Sequence, residues 1–159
     1  TIVRWPSVTR PGSVSLEPIM TIDYYPTLLE VAQAKGDEPH NHSVDGVSLV
    51  PLFGDSQASI TRDLFWHYPH YHAGGDGPYS AIRSGNWRLI ESHENSELEL
   101  YNLADDVGEQ SNLTKQHPDV AQDLLARLNK WWKEVDAQMP TRNADYDETR
   151  ASQTGRTGK

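Results

Sequence analysis

Aromatic rings and imidazoles crowd the stretch Leu64–His72 more closely than any other part of the sequence. Three imidazoles, those of His67, His70 and His72, alternate there with aromatic side chains. Such groups can stack on a sugar ring, donate hydrogen bonds to an anion or ligate a metal. The glycine-rich segment 73–78 follows at once, and its backbone could approach a bound molecule closely. The stretch therefore predicts the rim of a binding site.

Two other interpretations of the same histidines stay open. A zinc site could form from the three imidazoles and Asp76, although Pro69 breaks the regular spacing of such a site. The histidines could instead pack among aromatic rings and form hydrogen bonds with the backbone. In that case they would stabilise the fold and would not contact a ligand.

The composition excludes several classes of partner and site. The 159 residues include 23 acidic and 14 basic side chains, and the formal net charge of -9 disfavours nucleic acid and anionic membrane surfaces as partners. The longest apolar run is too short to span a bilayer. The chain has no cysteine, which excludes disulfides, thiolate metal sites and a cysteine nucleophile within these residues.

The N-terminal third predicts a strand, a helix and a connector. Ile2–Trp5 has the composition of a short strand, and a proline-rich segment follows it. Asp23 is a plausible N-cap for a helix that ends at Gly36. Residues 37–61 form a connector, in which segment 45–54 crosses the domain surface without forming a regular strand.

The middle of the chain predicts a small antiparallel sheet of three to four strands. Arg62–Tyr68 is the first candidate strand, and Gly85-Asn86 is the turn of a two-residue hairpin. The last candidate, Glu97–Tyr101, alternates polar and apolar residues. The hairpin turn fixes the opposing pairs, which are Ser84 with Trp87, Ile82 with Leu89, and Arg83 with Arg88.

The two facing arginines of this hairpin need a negative partner. They could bind a sulfate or a sugar carboxylate, because guanidinium groups suit both anions. Glu97 and Glu99 fall on the neighbouring strand and offer structural ion pairs instead. We expect the structural ion pairs, and we expect Asp105, Asp106 and Glu109 to form a solvated turn.

A long amphipathic helix is predicted after Pro118. Its apolar stripe should cover one face of the sheet, which gives an α+β fold of a small antiparallel sheet packed by a C-terminal helix. The polar segment 139–159 is expected to be a disordered tail. The stripe consists of Val120, Leu124, Leu128, Trp131 and Val135, widened by Ala121, Leu125 and Trp132.

These segments, in this order, resemble the C-terminal part of the sulfatase family, within the alkaline-phosphatase-like superfamily. The resemblance covers roughly residues 1–138 and implies the end of a large α/β domain at 1–36, a connector at 37–61 and a C-terminal subdomain at 62–138. That subdomain is expected to be a four-stranded antiparallel sheet packed by one helix. The motifs that carry the resemblance are residues 2–6, 21–29, 45–52, 65–71, 81–90 and 99–103.

The resemblance implies hydrolysis of sulfate esters, in which a formylglycine hydrate attacks sulfur beside a calcium ion. The formylglycine derives from a Cys/Ser-x-Pro/Ala-x-Arg motif, and this sequence contains no such motif. Asp105 and Asp106 do not replace the family's metal ligands, since they match a loop of the small subdomain. We therefore assign no catalytic residue and no metal ligand to this chain, and we expect it to be inactive by itself.

The resemblance also implies the partners and the site residues. An upstream catalytic domain and a sulfated glycan or aryl sulfate are the expected partners, and the expected location is the periplasm or outside the cell. His70 is the first candidate for substrate contact, followed by His67, with Tyr71 and His72 beside them. The competing hypothesis is a free-standing, non-catalytic carbohydrate-binding or interaction module, which would have no use for the strand and helix of residues 1–36.

Overall fold

The computed structural model describes residues 1–71, 77–141 and 143–146 of the chain. The chain divides into two compact units, one formed by Thr1–Thr61 and the other beginning at Arg62. None of the helices in the described ranges combines the length and apolarity needed to cross a bilayer. The predicted tail lies mostly outside the described residues.

The first unit contains three helices. A 3-10 turn at Thr21–Asp23 leads into α1 (Tyr24–Val31), and two short helices follow, α2 (Glu38–Asn41) and α3 (Val50–Gly54). The predicted helix after Asp23 is confirmed, but it ends before Gly36. The segment 45–54 contains a short helix and no strand, as expected.

The predicted strand Ile2–Trp5 is wrong, because this segment has no regular secondary structure. A strand requires a neighbouring strand to pair its backbone groups, and the described residues of the first unit form none. Ile2 is 99% exposed. The composition of this segment favours a strand, but the described part of the first unit offers no second strand with which it could pair.

The first unit is organised around a buried polar centre. The fully buried Asp23 carboxylate accepts hydrogen bonds from the backbone N–H groups of Met20 (2.7 Å) and Val47 (3.1 Å). The hydroxyl of Thr27 donates to the carbonyl of Asp23 and accepts from the N–H of Leu49 at 2.9 Å. Asp23 precedes α1 as predicted, but its side chain joins two distant segments and does not cap the helix.

The second unit contains a four-stranded antiparallel sheet. Its strands are β1 (Asp63–Tyr68), β2 (Tyr79–Ser84), β3 (Trp87–Ser92) and β4 (Leu98–Asn102), and they lie in the order β1-β2-β3-β4. Gly85 adopts a left-handed φ of 57° in the tight turn between β2 and β3. The three predicted pairs of the hairpin are confirmed, including Arg83 opposite Arg88.

One face of the sheet packs against α4 (Pro118–Glu134). Phe65 of β1 stacks on Trp131 of α4, with ring centroids 4.8 Å apart. The α+β fold predicted from the sequence is confirmed. Its buried core consists of Ile82, Leu89 and Leu100 from the sheet and Ala121, Leu124 and Leu128 from the helix.

The predicted partners of the arginine pair require a correction. Arg88 forms its ion pair with Glu109, and Arg83 donates from Nε to the carbonyl of Gly85 at 3.1 Å. Glu99 instead accepts the hydroxyl of Tyr101 at 3.1 Å. The turn after β4 folds back towards the hairpin, so Glu109 belongs to an ion pair and not to a merely solvated turn.

Candidate functional site

The rim residues, which we define as His70, Tyr71, Gly77 and Glu94, lie at one end of the sheet. The antiparallel register brings the end of β1 beside the start of β2, and the start of β2 beside the end of β3. The backbone N–H of His93 donates to the carbonyl of Pro78 at 2.9 Å. Three consecutive strands therefore position these residues.

Tyr71 is an exposed ring whose hydroxyl is held by the β3–β4 turn. Its hydroxyl donates to Oε1 of Glu94 at 2.5 Å, while 60% of the residue stays accessible to solvent. Gly77 makes room for this arrangement, because a Cβ at that position would lie 2.6 Å from Oε2 of Glu94. The ring can therefore stack on a ligand while its hydroxyl is fixed.

His70 is exposed at the same end of the sheet. Its ring packs edge-on against Tyr68, with centroids 5.7 Å apart and an interplanar angle of 87°. An imidazole in this position can donate a hydrogen bond to a sulfate or hydroxyl oxygen. His70 and Tyr71 are therefore both exposed at this end of the sheet, and their contact with a ligand stays a prediction.

His67 points to the helix side of the sheet and forms internal hydrogen bonds. Its Nδ1 lies 2.7 Å from Oγ of Ser80, and its Nε2 lies 2.9 Å from the carbonyl oxygen of Gln138. This arrangement matches the alternative in which a histidine stabilises the fold. The prediction for His72, like the Asp76 of the alternative zinc site, falls outside the described residues.

A polar cluster of His67, Ser80, Glu91 and His93 lies on the helix-facing side of the sheet. Ser80 is fully buried, and its hydroxyl lies 2.9 Å from Nε2 of His93. Trp132 of α4 covers the two imidazoles, with its ring 5.4 Å from His93. The sequence analysis did not single out Ser80 or Glu91. The predicted hairpin register could have found them, since it places both on the face that also carries Ile82.

Burial shifts the pKa values of Glu91 and His93 in opposite directions. It raises the pKa of Glu91, whose Oε2 is buried without a hydrogen-bond partner among the described residues. Burial, followed by the nearby charge of His67, lowers the pKa of His93. The folded state therefore favours the neutral form of both side chains.

We expect Glu91→Gln to stabilise the chain at pH 7 by less than about 1 kcal/mol, because the site is partly exposed and screened. A raised carboxyl pKa contributes stability below its ordinary value and loses that contribution as the pH rises through the folded value. The difference between variant and wild type should therefore vanish below pH 4.5, the ordinary value. Urea unfolding at several pH values measures this difference.

Glu97→Gln is the matched control, since Glu97 is exposed in the neighbouring turn. The difference between this variant and wild type in the free energy of unfolding should stay near zero across the same pH range. If Glu91→Gln were less stable than wild type at pH 7, burial of the charged Glu91 carboxylate would not destabilise the folded state as we expect.

The described residues do not fit the calcium ion and the formylglycine that the resemblance implies. Among the described residues, no group of three or more His, Asp or Glu side chains is placed to hold a metal ion. The sequence also has no cysteine from which a formylglycine could derive. No chemical step is therefore assigned to these groups here.

Comparison with known proteins identifies the family. The family described as N-sulphoglucosamine sulphohydrolase, C-terminal, matches residues 1–137. A sulfatase of Formosa agariphila is 34% identical over 145 residues, which are 82% of this chain and 26% of that protein. An N-acetylglucosamine-6-O-sulfatase of Bacteroides thetaiotaomicron is 27% identical over 146 residues, which are 85% of this chain and 25% of that protein.

A solved structure shares the fold. The structure of BT4656 in complex with its substrate D-glucosamine-2-N,6-O-disulfate superimposes with a TM-score of 0.70 at 22% identity, over 87% of this chain and 29% of that chain. This chain spans about a quarter of the length of the curated relatives it matches. With a family match over most of its residues and a sulfatase relative at 34% identity, the chain belongs to the sulfatase family, in which it corresponds to the C-terminal region.

Proposed function

We propose that this chain is the C-terminal region of a sulfatase that hydrolyses sulfate esters of a sulfated glycan. Its role is to supply a scaffold and part of the substrate-binding rim, while the formylglycine nucleophile and the calcium ligands lie upstream in the intact enzyme. The observation that carries this proposal is the exposed pair His70 and Tyr71 at one end of the sheet. A relative named N-acetylglucosamine-6-O-sulfatase supports the substrate class.

An upstream catalytic domain is the proposed partner of residues 1–36. Tyr24, Leu28 and Val31 form a stripe at helical spacing along α1, and they are 39%, 65% and 38% exposed. Apolar residues with this spacing normally face a packed neighbour. The stripe therefore supports the assignment of residues 1–36 to the end of a larger α/β domain, with 37–61 as connector and 62–138 as C-terminal subdomain.

The same stripe disfavours a free-standing carbohydrate-binding module, which would have to keep these apolar side chains in water. The proposed location of the intact enzyme is the periplasm or the exterior of the cell, and this proposal rests only on the resemblance to the family.

Within the rim, His70 is the proposed donor to a sulfate or hydroxyl oxygen, and Tyr71 is the proposed stacking surface for a sugar ring. His67 is a weaker candidate, because both of its ring nitrogens have partners inside the fold. His72 is proposed only from its place beside them in the sequence. These contacts would act on glycan binding and not on the chemistry at sulfur.

In the intact enzyme, His70→Ala should lower kcat/KM on D-glucosamine-2-N,6-O-disulfate roughly 10- to 100-fold, which corresponds to one hydrogen bond to a charged group. Turnover of 4-nitrophenyl sulfate, which has no sugar, should change much less. Steady-state kinetics on both substrates measures the difference.

His42→Ala is the control for this experiment, since His42 is also exposed but lies in the first unit. It should leave both substrates unaffected. Equal losses on the glycan and on the aryl sulfate in His70→Ala would remove His70 from substrate selection.

A further inference from the structure

A buried serine connects two imidazoles behind the rim. Oγ of Ser80 lies 2.7 Å from Nδ1 of His67 and 2.9 Å from Nε2 of His93, and the serine has no exposed surface. The other ring nitrogen of His67 lies 2.9 Å from the carbonyl oxygen of Gln138, just beyond α4. A single line of hydrogen bonds therefore joins the β3–β4 turn, the sheet and the segment after the helix.

The number of protons available fixes the direction of these hydrogen bonds. The carbonyl of Gln138 can only accept, so Nε2 of His67 carries a hydrogen. In a neutral imidazole Nδ1 is then an acceptor, and it must receive the single hydroxyl hydrogen of Ser80. The serine oxygen is left to accept from His93, so Nε2 of His93 also carries a hydrogen. With both histidines neutral, only this arrangement satisfies all three contacts.

The two rings lie beside an aromatic side chain of the helix. Trp132 covers both, with ring centroids 5.4 Å from His93 and 6.3 Å from His67. The acidic side chains near His93 are those of the partly buried Glu91, which lies opposite Ser80 in the register, and of the adjacent Glu94. Because the hydroxyl of Ser80 carries a single hydrogen, it cannot donate to both rings at once, which couples the hydrogen positions of His67 and His93.

This hydrogen-bond line ends next to a rim residue. Glu94 directly follows His93, and its carboxylate accepts the hydroxyl of Tyr71. A Cβ at Gly77 would lie 2.6 Å from Oε2 of that carboxylate, so a side chain there would displace it. The contact of His93 with Ser80 therefore restrains the turn that carries Glu94, and Glu94 accepts the hydrogen bond of the Tyr71 hydroxyl.

We propose that Ser80 and His93 are positioning residues, which hold the β3–β4 turn so that Glu94 presents Tyr71 to a sulfated glycan. This inference rests on the proposed function, since it assigns a role in the same rim. Neither residue touches the substrate. Their loss should weaken glycan binding through displacement of Tyr71 and should leave the chemistry at sulfur to the upstream groups.

The first test measures the imidazole tautomers in the chain itself. In ¹⁵N-labelled protein at pH 7.5, long-range ¹H–¹⁵N spectra should show the Nε2–H tautomer for both His67 and His93. Ser80→Ala should leave His93 as a mixture of tautomers. An Nδ1–H tautomer at His93 in the wild type, or spectra of His93 that Ser80→Ala does not alter, would overturn the proposal.

The second test measures kinetics in the intact enzyme. His93→Phe and Ser80→Ala should each raise KM for D-glucosamine-2-N,6-O-disulfate about 3- to 10-fold with little change in kcat, as expected for one neutral hydrogen bond. His93→Gln should restore most of the affinity, because its amide can donate to Ser80. A KM as high in His93→Gln as in His93→Phe would contradict the positioning role and indicate that ring packing alone matters.

The failures of the two proposals can be told apart. If His70→Ala selectively affects the glycan but the Ser80 and His93 variants do not, the positioning role is wrong and the proposed function stands. If the intact enzyme hydrolyses no member of a panel of sulfated glycans and aryl sulfates, the proposed function is wrong, and the tautomer spectra still decide whether the hydrogen-bond line exists.

Discussion

Leu100→Ala is expected to lower the free energy of unfolding of the second unit by roughly 2–5 kcal/mol. Leu100 is fully buried on β4 and packs in the core formed by the sheet and α4. Removing its side chain loses apolar burial and leaves a cavity in a layer that Leu124 and Leu128 cannot refill without moving the helix. Urea unfolding followed by circular dichroism measures the change.

Val107→Ala is the matched control, because Val107 is 82% exposed in the turn after β4. Its effect should stay within about 0.5 kcal/mol. A loss below about 1 kcal/mol for Leu100→Ala would mean that the helix does not pack on this face of the sheet as described.

Asp23→Ala is expected to have the largest effect in the first unit. The substitution leaves the N–H groups of Met20 and Val47 without their carboxylate acceptor, and an unsatisfied buried donor costs about 1–3 kcal/mol. Amide hydrogen exchange of residues 20–31 should therefore accelerate by roughly 10- to 100-fold or more. Mass spectrometry of peptides from this segment measures the rate without requiring that both units unfold together.

Asp55→Ala provides the control, since Asp55 accepts one exposed hydrogen bond from the N–H of Gln57. It should change exchange only near its own turn. Asp23→Asn should fall between wild type and Asp23→Ala, because its amide keeps one acceptor oxygen. Unchanged exchange in α1 for Asp23→Ala would show that the carboxylate does not hold the first unit together.

The sheet could be predicted from the sequence because its determinants are local. A two-residue turn at Gly85-Asn86 permits one register, and that register fixes which side chains face the helix. The apolar stripe of α4 then has a single apolar face to cover. The exposure of His70 and Tyr71 is equally local, since both lie just beyond the end of β1, but their place in a binding rim stays a prediction.

The contacts that could not be predicted join segments far apart in the sequence. Glu109 reaches Arg88 because the turn after β4 returns to the hairpin, where the N–H of Leu103 donates to the carbonyl of Asn86 at 2.7 Å. The approach of His93 to Ser80 depends on how the β3–β4 turn packs under Trp132. Composition alone suggested a strand at Ile2–Trp5. A strand must pair with another strand, and the described residues of the first unit contain none.

The sequential order of the four strands has a consequence for synthesis on the ribosome. Each strand can pair with the one made just before it, so the sheet has only short loops to close and should assemble quickly. The apolar face of the sheet, however, stays uncovered until α4 has been synthesised. During that interval Ile82, Leu89 and Leu100 are uncovered on the nascent chain, and such exposed apolar surface is prone to aggregation.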